Sequence, residues 1–303
     1  MKIMVVAHDA GGAEIISSYI RQQDLKCRYV LAGPALNIFQ RKLGVIDLQP
    51  SLSAIQEADW LLCGTSWQSE LEWEAIDIAR RLGKRSVAFL DHWVNYRERF
   101  VREGERHLPD ELWVGDVQAE IMAHNLFPET TICLIENPYF SDLKRELTDL
   151  SSSREISKEN LKILYVCEPI REHALREHGN ERHWGYTEEE ALEYFLENIE
   201  ILGESVGRIV IRPHPSEPSG KYDWAGKTNK LPIFRGGAKP LFEEVAESDV
   251  VVGCESMAMV VGLLAGCRVI SCIPPGGKDC ELPQPEIESL QDLLQTKVTS
   301  APR

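Results

Sequence analysis

The sequence predicts an α/β protein made of two doubly wound domains in tandem, and three observations carry that reading. Short apolar, β-branched runs alternate with amphipathic helical stretches along the whole chain, the pattern of right-handed βαβ crossovers and a mainly parallel sheet. The alternation breaks once, at Thr148-Asp149-Leu150-Ser151-Ser152-Ser153-Arg154-Glu155, and restarts at Leu161. The length, 303 residues, suits about two domains, each with a core of its own. The expected division is 1–148, a linker over 149–160 and a second domain over 161–303, with a cleft between the two domains.

The elements follow in order. Residues 2–7 are an apolar run that enters His8-Asp9-Ala10-Gly11-Gly12-Ala13-Glu14, and Ile15, Ile16, Tyr19 and Ile20 then mark one helix face. Further strand and helix pairs fall at 27–32 and 34–43, 60–63 and 70–82, 111–114 and 117–125, and 131–135 and 140–147. The strand at 86–90 runs into a polar segment. In the second half, strands are expected at 161–167, 208–211, 250–252 and 268–273, and helices at 188–202, 240–246 and 257–264. A stretch rich in His and Arg, from Glu168 to His183, reads as a lid or a solvated insertion.

Composition narrows the function classes. An apolar fraction of 43% with 27% charged residues belongs to a globular protein. No run reaches the roughly 18 apolar residues of a membrane span, and the N-terminus enters a strand pattern rather than a signal peptide, so a cytoplasmic location is expected. The eight cysteines show no C-x-x-C spacing and lie mostly in apolar runs, as small buried hydrophobes in a reducing compartment. A net charge of −15 argues against a nucleic-acid partner, which needs a basic face. An anionic ligand must be met by a local cluster.

Polar residues just past apolar strands are the candidates for chemistry, because ligands of open α/β sheets bind beyond the carboxyl ends of the strands. The strand over 208–211 runs into Arg212-Pro213-His214-Pro215, where two prolines hold the imidazole; the alternative is a strand-end histidine that only caps a loop. Gly253-Cys254-Glu255-Ser256-Met257 leads from a buried strand into a helix, so Ser256 and the helix N–H groups suit an anion and Glu255 a sugar hydroxyl, unless Ser256 is an ordinary N-cap. After the first strand, Gly11 and Gly12 let the backbone approach a ligand, without the full G-x-G-x-x-G spacing. Asp9 beside them is a candidate general base or a helix cap. In Leu90-Asp91-His92-Trp93-Val94-Asn95-Tyr96, Asp91 and His92 form a rival acid or base pair, and Trp93 and Tyr96 suit stacking on a sugar or base. The histidines of 168–183 lack metal-ligand spacing, and no H-E-x-x-H is present.

With these residues in view, the second half resembles the donor domain of GT-B fold glycosyltransferases, and among them the bacterial capsule-polysaccharide, sialyl- and Kdo-transferase-like enzymes. Arg212-Pro213-His214-Pro215 stands where that group has its His-Pro motif, and Gly253-Cys254-Glu255-Ser256-Met257-Ala258 where it has a phosphate-binding turn. The likeness covers about residues 160–285. It implies two Rossmann-like domains facing across a cleft, with His214 and Ser256 meeting the phosphate of a nucleotide-sugar donor, CMP-linked sugars among the family's donors. Arg212, Glu255, Met257, Gly11 and Gly12 are the further donor-binding candidates, and His92, Trp93 and Tyr96 the acceptor-binding ones. The implied reaction is metal-independent transfer to a glycan or lipid-linked acceptor in surface polysaccharide synthesis, with the nucleotide-sugar as co-substrate and no other cofactor. The family's Asp/Glu-Asp-Gly base motif is absent, so Asp9 and Asp91 remain rivals beside His214 as catalytic residues. Two alternatives stand: a sugar-nucleotide 2-epimerase or hydrolase-like enzyme, and a non-catalytic nucleotide- or glycan-binding protein.

Overall fold

The computed structural model describes residues 2–66, 69–151, 160–203, 205–228 and 230–300. The chain divides into two units, Met1–Asp142 and Leu143–Arg303. In the first, β1 (Ile3–Ala7), α1 (Ala10–Gln22), β2 (Cys27–Leu31), α2 (Ala35–Leu43) and β3 (Asp47–Leu48) open the winding. They are followed by β4 (Trp60–Cys63), α3 (Leu71–Arg81), β5 (Arg85–Leu90), a hairpin of β6 (Val101–Arg102) and β7 (Glu105–Arg106), β8 (Glu111–Val114), α4 (Val117–Leu126) and β9 (Thr131–Leu134). Helix α5 (Pro138–Ser151) spans the division. The seven-stranded sheet has the order β3-β2-β1-β4-β5-β8-β9, every pair parallel.

The second unit repeats the plan. Its strands are β10 (Leu161–Val166), β11 (Val206–Arg212), β12 (Ile233–Arg235), β13 (Val250–Gly253), β14 (Arg268–Ser271) and β15 (Ile287–Ser289), in the order β12-β11-β10-β13-β14-β15 and again all parallel. Its helices are α6 (Ile170–His178), α7 (Glu188–Glu197), α8 (Asp223–Thr228), α9 (Leu241–Ala246), α10 (Met257–Leu264) and α11 (Leu290–Ser300). Both sheets therefore reverse their winding once, between β1 and β4 and between β10 and β13. These are the topological switch points, where the loops on either side diverge and leave a crevice.

Burial explains the strand composition. All five residues of β1 and all four of β4 are buried, as expected of parallel strands with helices on both faces. Ile16, Phe39, Leu62 and Phe89 are among the core of the first unit, and Ile163, Phe195, Ile209, Val252 and Ile270 among that of the second. Five of the eight cysteines are buried, and all are free thiols. Among the described residues, no helix is long and apolar enough to cross a membrane.

Several expectations change. The charged stretch 168–183, read as a lid or a solvated insertion, contains α6, which ends at Gly179 in the left-handed conformation. The single helix expected over 188–202 is α7 followed by a 3-10 turn over Ile199–Leu202. Thr187 and Glu190 start α7 with a reciprocal capping box. The units part at Asp142/Leu143 rather than at 148, and residues 149–151 of the expected linker are the last residues of α5, while 152–159 lie outside the described residues. Strands β3 and β15, of two and three residues, are too short to carry a periodicity of their own.

Candidate functional site

At the switch point of the first unit, the turn after β1 is built by three side chains. Asp9 stands at the N-cap position of α1, yet its carboxylate makes no cap bond and instead holds the His8 ring, with Nδ1 to Oδ1 at 2.6 Å. The His8 and Asp9 side chains remain 30% and 27% exposed, so the pair is open to solvent. The backbone N–H of His8 donates to Oε1 of Glu72, in the first turn of α3, at 2.6 Å. Glu72 is only 2% exposed, and its Oε2 has no hydrogen-bond partner. Burial pushes its carboxyl up to about 7, with Asp9 adding in the same direction, while the bonded N–H of His8 opposes the shift.

The two glycines of that turn are closely packed within the unit, Gly11 more tightly than Gly12. A Cβ on Gly11 would lie 1.9 Å from Oδ2 of Asp91, and one on Gly12 would lie 3.2 Å from the Cα of Gly64, in the turn after β4. Asp91, at the end of β5, pairs with Nη1 of Arg99 at 2.6 Å, and the same nitrogen reaches Oγ1 of Thr65 at 2.8 Å. Asp91 thus lies against the turn after β1 and is tied through Arg99 to the turn after β4, whereas the His8–Asp9 pair stays partly exposed, with the His8 ring against Gly33. Trp93 and Tyr96, expected to offer rings for stacking, are 4% and 3% exposed, which corrects that expectation. The indole N–H of Trp93 donates to Asp116 Oδ2 at 3.0 Å, so the apolar body of the ring is buried and its polar edge satisfied. Burial pushes the His92 imidazole down to about 4, against the pull of Asp91, and its Nδ1 accepts the N–H of Trp93 at 3.0 Å. At neutral pH His92 is a neutral ring with one nitrogen already committed.

The switch point of the second unit is organised by a residue that the sequence reading passed over. Glu168, two residues past the end of β10, extends Oε1 to the backbone N–H groups of Cys254 (3.1 Å) and Glu255 (2.9 Å), in the turn after β13. Burial pushes its carboxyl up to about 7; the charge of Glu255 adds to this, and the two N–H donors and Lys278 counter it. Glu255 pairs with Lys278 at 2.7 Å, and Lys278 also lies 3.6 Å from Glu281 and over the ring of Trp184. Ser256 is the N-cap of α10, its Oγ accepting from the N–H of Ala258 at 3.2 Å, and Met257 is the first residue of that helix. The sequence expectation that Ser256 caps and the expectation that it borders an anion site are compatible, since a hydroxyl has acceptor and donor capacity.

His214 follows β11 and lies at the same carboxyl edge as Ser256, with β10 between their two strands. Its backbone N–H donates to Glu217 at 2.7 Å, and its Nδ1 meets Oγ of Ser216 at 2.7 Å. Burial lowers the pKa of the ring, while Glu217 and Glu172 act to raise it. Arg212 does not join it. Alternation along β11 buries Ile209 and Ile211 in the core and sends Arg212 to the other face, where it pairs with Glu244 of α9 at 2.6 Å and donates to the carbonyl of Lys239. Arg212, placed among the donor-binding candidates by its position beside His214, is therefore held away by an ion pair within the unit.

Glu72, Arg99, Glu168, Trp184 and Lys278 are the residues that sequence reasoning missed. Glu168 was detectable by the rule that singled out His214, a polar residue just past an apolar strand. Glu72 and Lys278 carried no such signal, because their partners lie 64 and 23 positions away in the chain.

No family model matches the chain, and no curated protein is similar to it in sequence. Its fold is shared with solved structures. The UDP-GlcNAc 2-epimerase from Methanocaldococcus jannaschii superposes with a TM-score of 0.56 at 11% identity, over 89% of this chain and 83% of that one. A putative UDP-N-acetylglucosamine 2-epimerase from Listeria monocytogenes gives 0.58 at 13% identity, over 89% and 79%. The glycotransferase of kitacinnamycin gives 0.54 at 13% identity, over 98% and 89%. At such identities the likeness is one of fold: the chain carries two Rossmann-like α/β units of the GT-B kind.

Proposed function

We propose that the chain is a glycosyltransferase that moves a sugar from a nucleotide-linked donor to a hydroxyl acceptor without using a metal ion. The observation that carries this reading is the carboxyl edge of the second unit, where Ser256 and Glu255 at the start of α10 share one end of the sheet with His214. As the bond between the anomeric carbon and the donor phosphate breaks, negative charge collects on the phosphate. His214 and the Ser256 hydroxyl are fixed donors for that charge, in the role oxyanion stabilisers play elsewhere. The second unit is accordingly assigned the donor and the first the acceptor. The proton that the acceptor hydroxyl must lose is assigned to the His8–Asp9 pair, in which Asp9 orients the ring. Asp91 is set aside as base because Arg99 already holds it. By the resemblance of the His-Pro stretch, the donor is CMP-linked and the acceptor a glycan or lipid-linked glycan of surface polysaccharide.

A second reading, a sugar-nucleotide 2-epimerase, is favoured by the glutamates at both switch points. Carboxyls brought to about 7 suit putting a proton on and off carbon near neutral pH. The test begins with thermal shifts in CMP, CDP, UDP, GDP and ADP, repeated on His214→Ala. A ligand at a hundred times its Kd stabilises by about 2.7 kcal/mol. A shift with one nucleotide that the variant loses supports the donor site; no shift with any of them rejects it. Incubation of the matching nucleotide-sugar with and without acceptor then separates the outcomes: acceptor-dependent nucleotide release means transfer, an epimeric sugar means epimerase, and binding without turnover means a binding protein.

A further inference from the structure

The two N–H groups that a donor phosphate would seek at the switch point of the second unit are already occupied. Cys254 and Glu255 both donate to one oxygen of Glu168, a carboxylate supplied from the far side of the switch. The groups facing it add little positive charge. Glu255 lies on the turn after β13, Lys278 and Cys280 on the loop after β14, Tyr186 ahead of α7, and Cys254 and Cys167 alongside; Lys278 is the one cation among them and is itself paired with Glu255. An incoming phosphate meets a site that already contains an anion.

We propose that Glu168 is an internal competitor for the nucleotide phosphate, holding the Cys254–Glu255 turn closed until the ligand displaces its carboxylate. This rests on the reading above that the chain binds a nucleotide. Hydrogen bonds to a charged acceptor are roughly twice as strong as those to a neutral one, so protonated Glu168 yields the N–H pair more readily than the carboxylate does. Affinity for nucleotide must then fall as Glu168 ionises. The window above pH 7 isolates the effect: burial keeps His214 neutral there, and a phosphate has completed its second ionisation, near pH 6.

The experiment is isothermal titration of the same five nucleotides into wild type, Glu168→Gln and Glu255→Gln from pH 7 to 9. In wild type, affinity for the nucleotide that binds should weaken by up to about tenfold per pH unit, the limit for one linked proton. Glu168→Gln should bind more tightly than wild type at pH 8 and show little pH dependence. Glu255→Gln removes a nearby charge without vacating the N–H pair, and its affinity should keep the wild-type slope. A wild-type affinity that is flat across this window overturns the competition, as does a Glu168→Gln protein that binds equally or more weakly, or a Glu255→Gln protein that loses the slope just as fully; each of these leaves nucleotide binding itself standing. If no nucleotide binds any of the three proteins at any pH, the competition and the functional reading both fail.

Discussion

Asp9 and Asp91 are indistinguishable as sequence features, since each follows a buried strand and each has a histidine beside it. Their neighbours separate them. Arg99 donates to Asp91 and to Thr65 through one nitrogen, in a position almost closed to solvent, while Asp9 holds the ring of His8 and stays partly exposed. Breaking a buried pair leaves an uncompensated charge, so Arg99→Ala should lose about 3–5 kcal/mol of unfolding free energy in a urea titration. Lysine offers a point charge rather than a planar fork, and Arg99→Lys should recover only part of that. A loss below about 1 kcal/mol would show that Asp91 is not held by this pair and would restore it as a candidate base.

Gly11 lies in the first turn of α1, where exchanging glycine for alanine normally helps a helix by up to about 1 kcal/mol. Here the added carbon would enter the space of the Asp91 carboxylate, at 1.9 Å. Steric exclusion at that distance outweighs propensity, so Gly11→Ala should destabilise, and it should do so by disturbing the Asp91–Arg99 pair. The two changes then share one mechanism: the double variant Gly11→Ala/Arg99→Ala should lose clearly less than the sum of the single losses, an interaction of at least about 0.5 kcal/mol. Strict additivity in the same urea titrations would contradict the shared mechanism. Glycine at this turn was visible in the sequence, but its reason was not, for the residue it accommodates comes from a different strand.

The whole molecule uses one device twice. In each unit a glutamate crosses the switch point to accept backbone N–H from the opposite turn, Glu72 from α3 to the turn after β1 and Glu168 from the end of β10 to the turn after β13. Each carboxyl is raised to about 7, chiefly by burial. A carboxyl whose pKa is higher folded than unfolded holds its proton longer in the native state, so the stability it contributes is complete at low pH and is lost as pH rises through the interval up to about 7. Each unit of displacement is worth about 1.4 kcal/mol. Glu72→Gln keeps an acceptor for the His8 N–H and abolishes the ionisation, so the variant should gain up to about 3 kcal/mol over wild type at pH 8 and nothing at pH 4. Parallel stability curves for the two proteins from pH 4 to 8 would refute the assignment.

What the amino-acid sequence determined by itself was the class of fold, most strands and helices, and the edge of each sheet at which polar residues gather. Those features follow from local periodicity: an apolar run of strand length and an amphipathic helical stretch each announce themselves within a few residues. The folded chain alone decided which polar side chains take partners and which stay available. Arg212 went to Glu244, Asp91 to Arg99, Trp93 into the core with Asp116, and Glu168 to an N–H pair 86 and 87 positions further along. Short-range pattern contains no information about such meetings, because strand order and the pleat of β11 decide which side chains share a face, and burial then drives most polar groups there to find a partner or shift their charge.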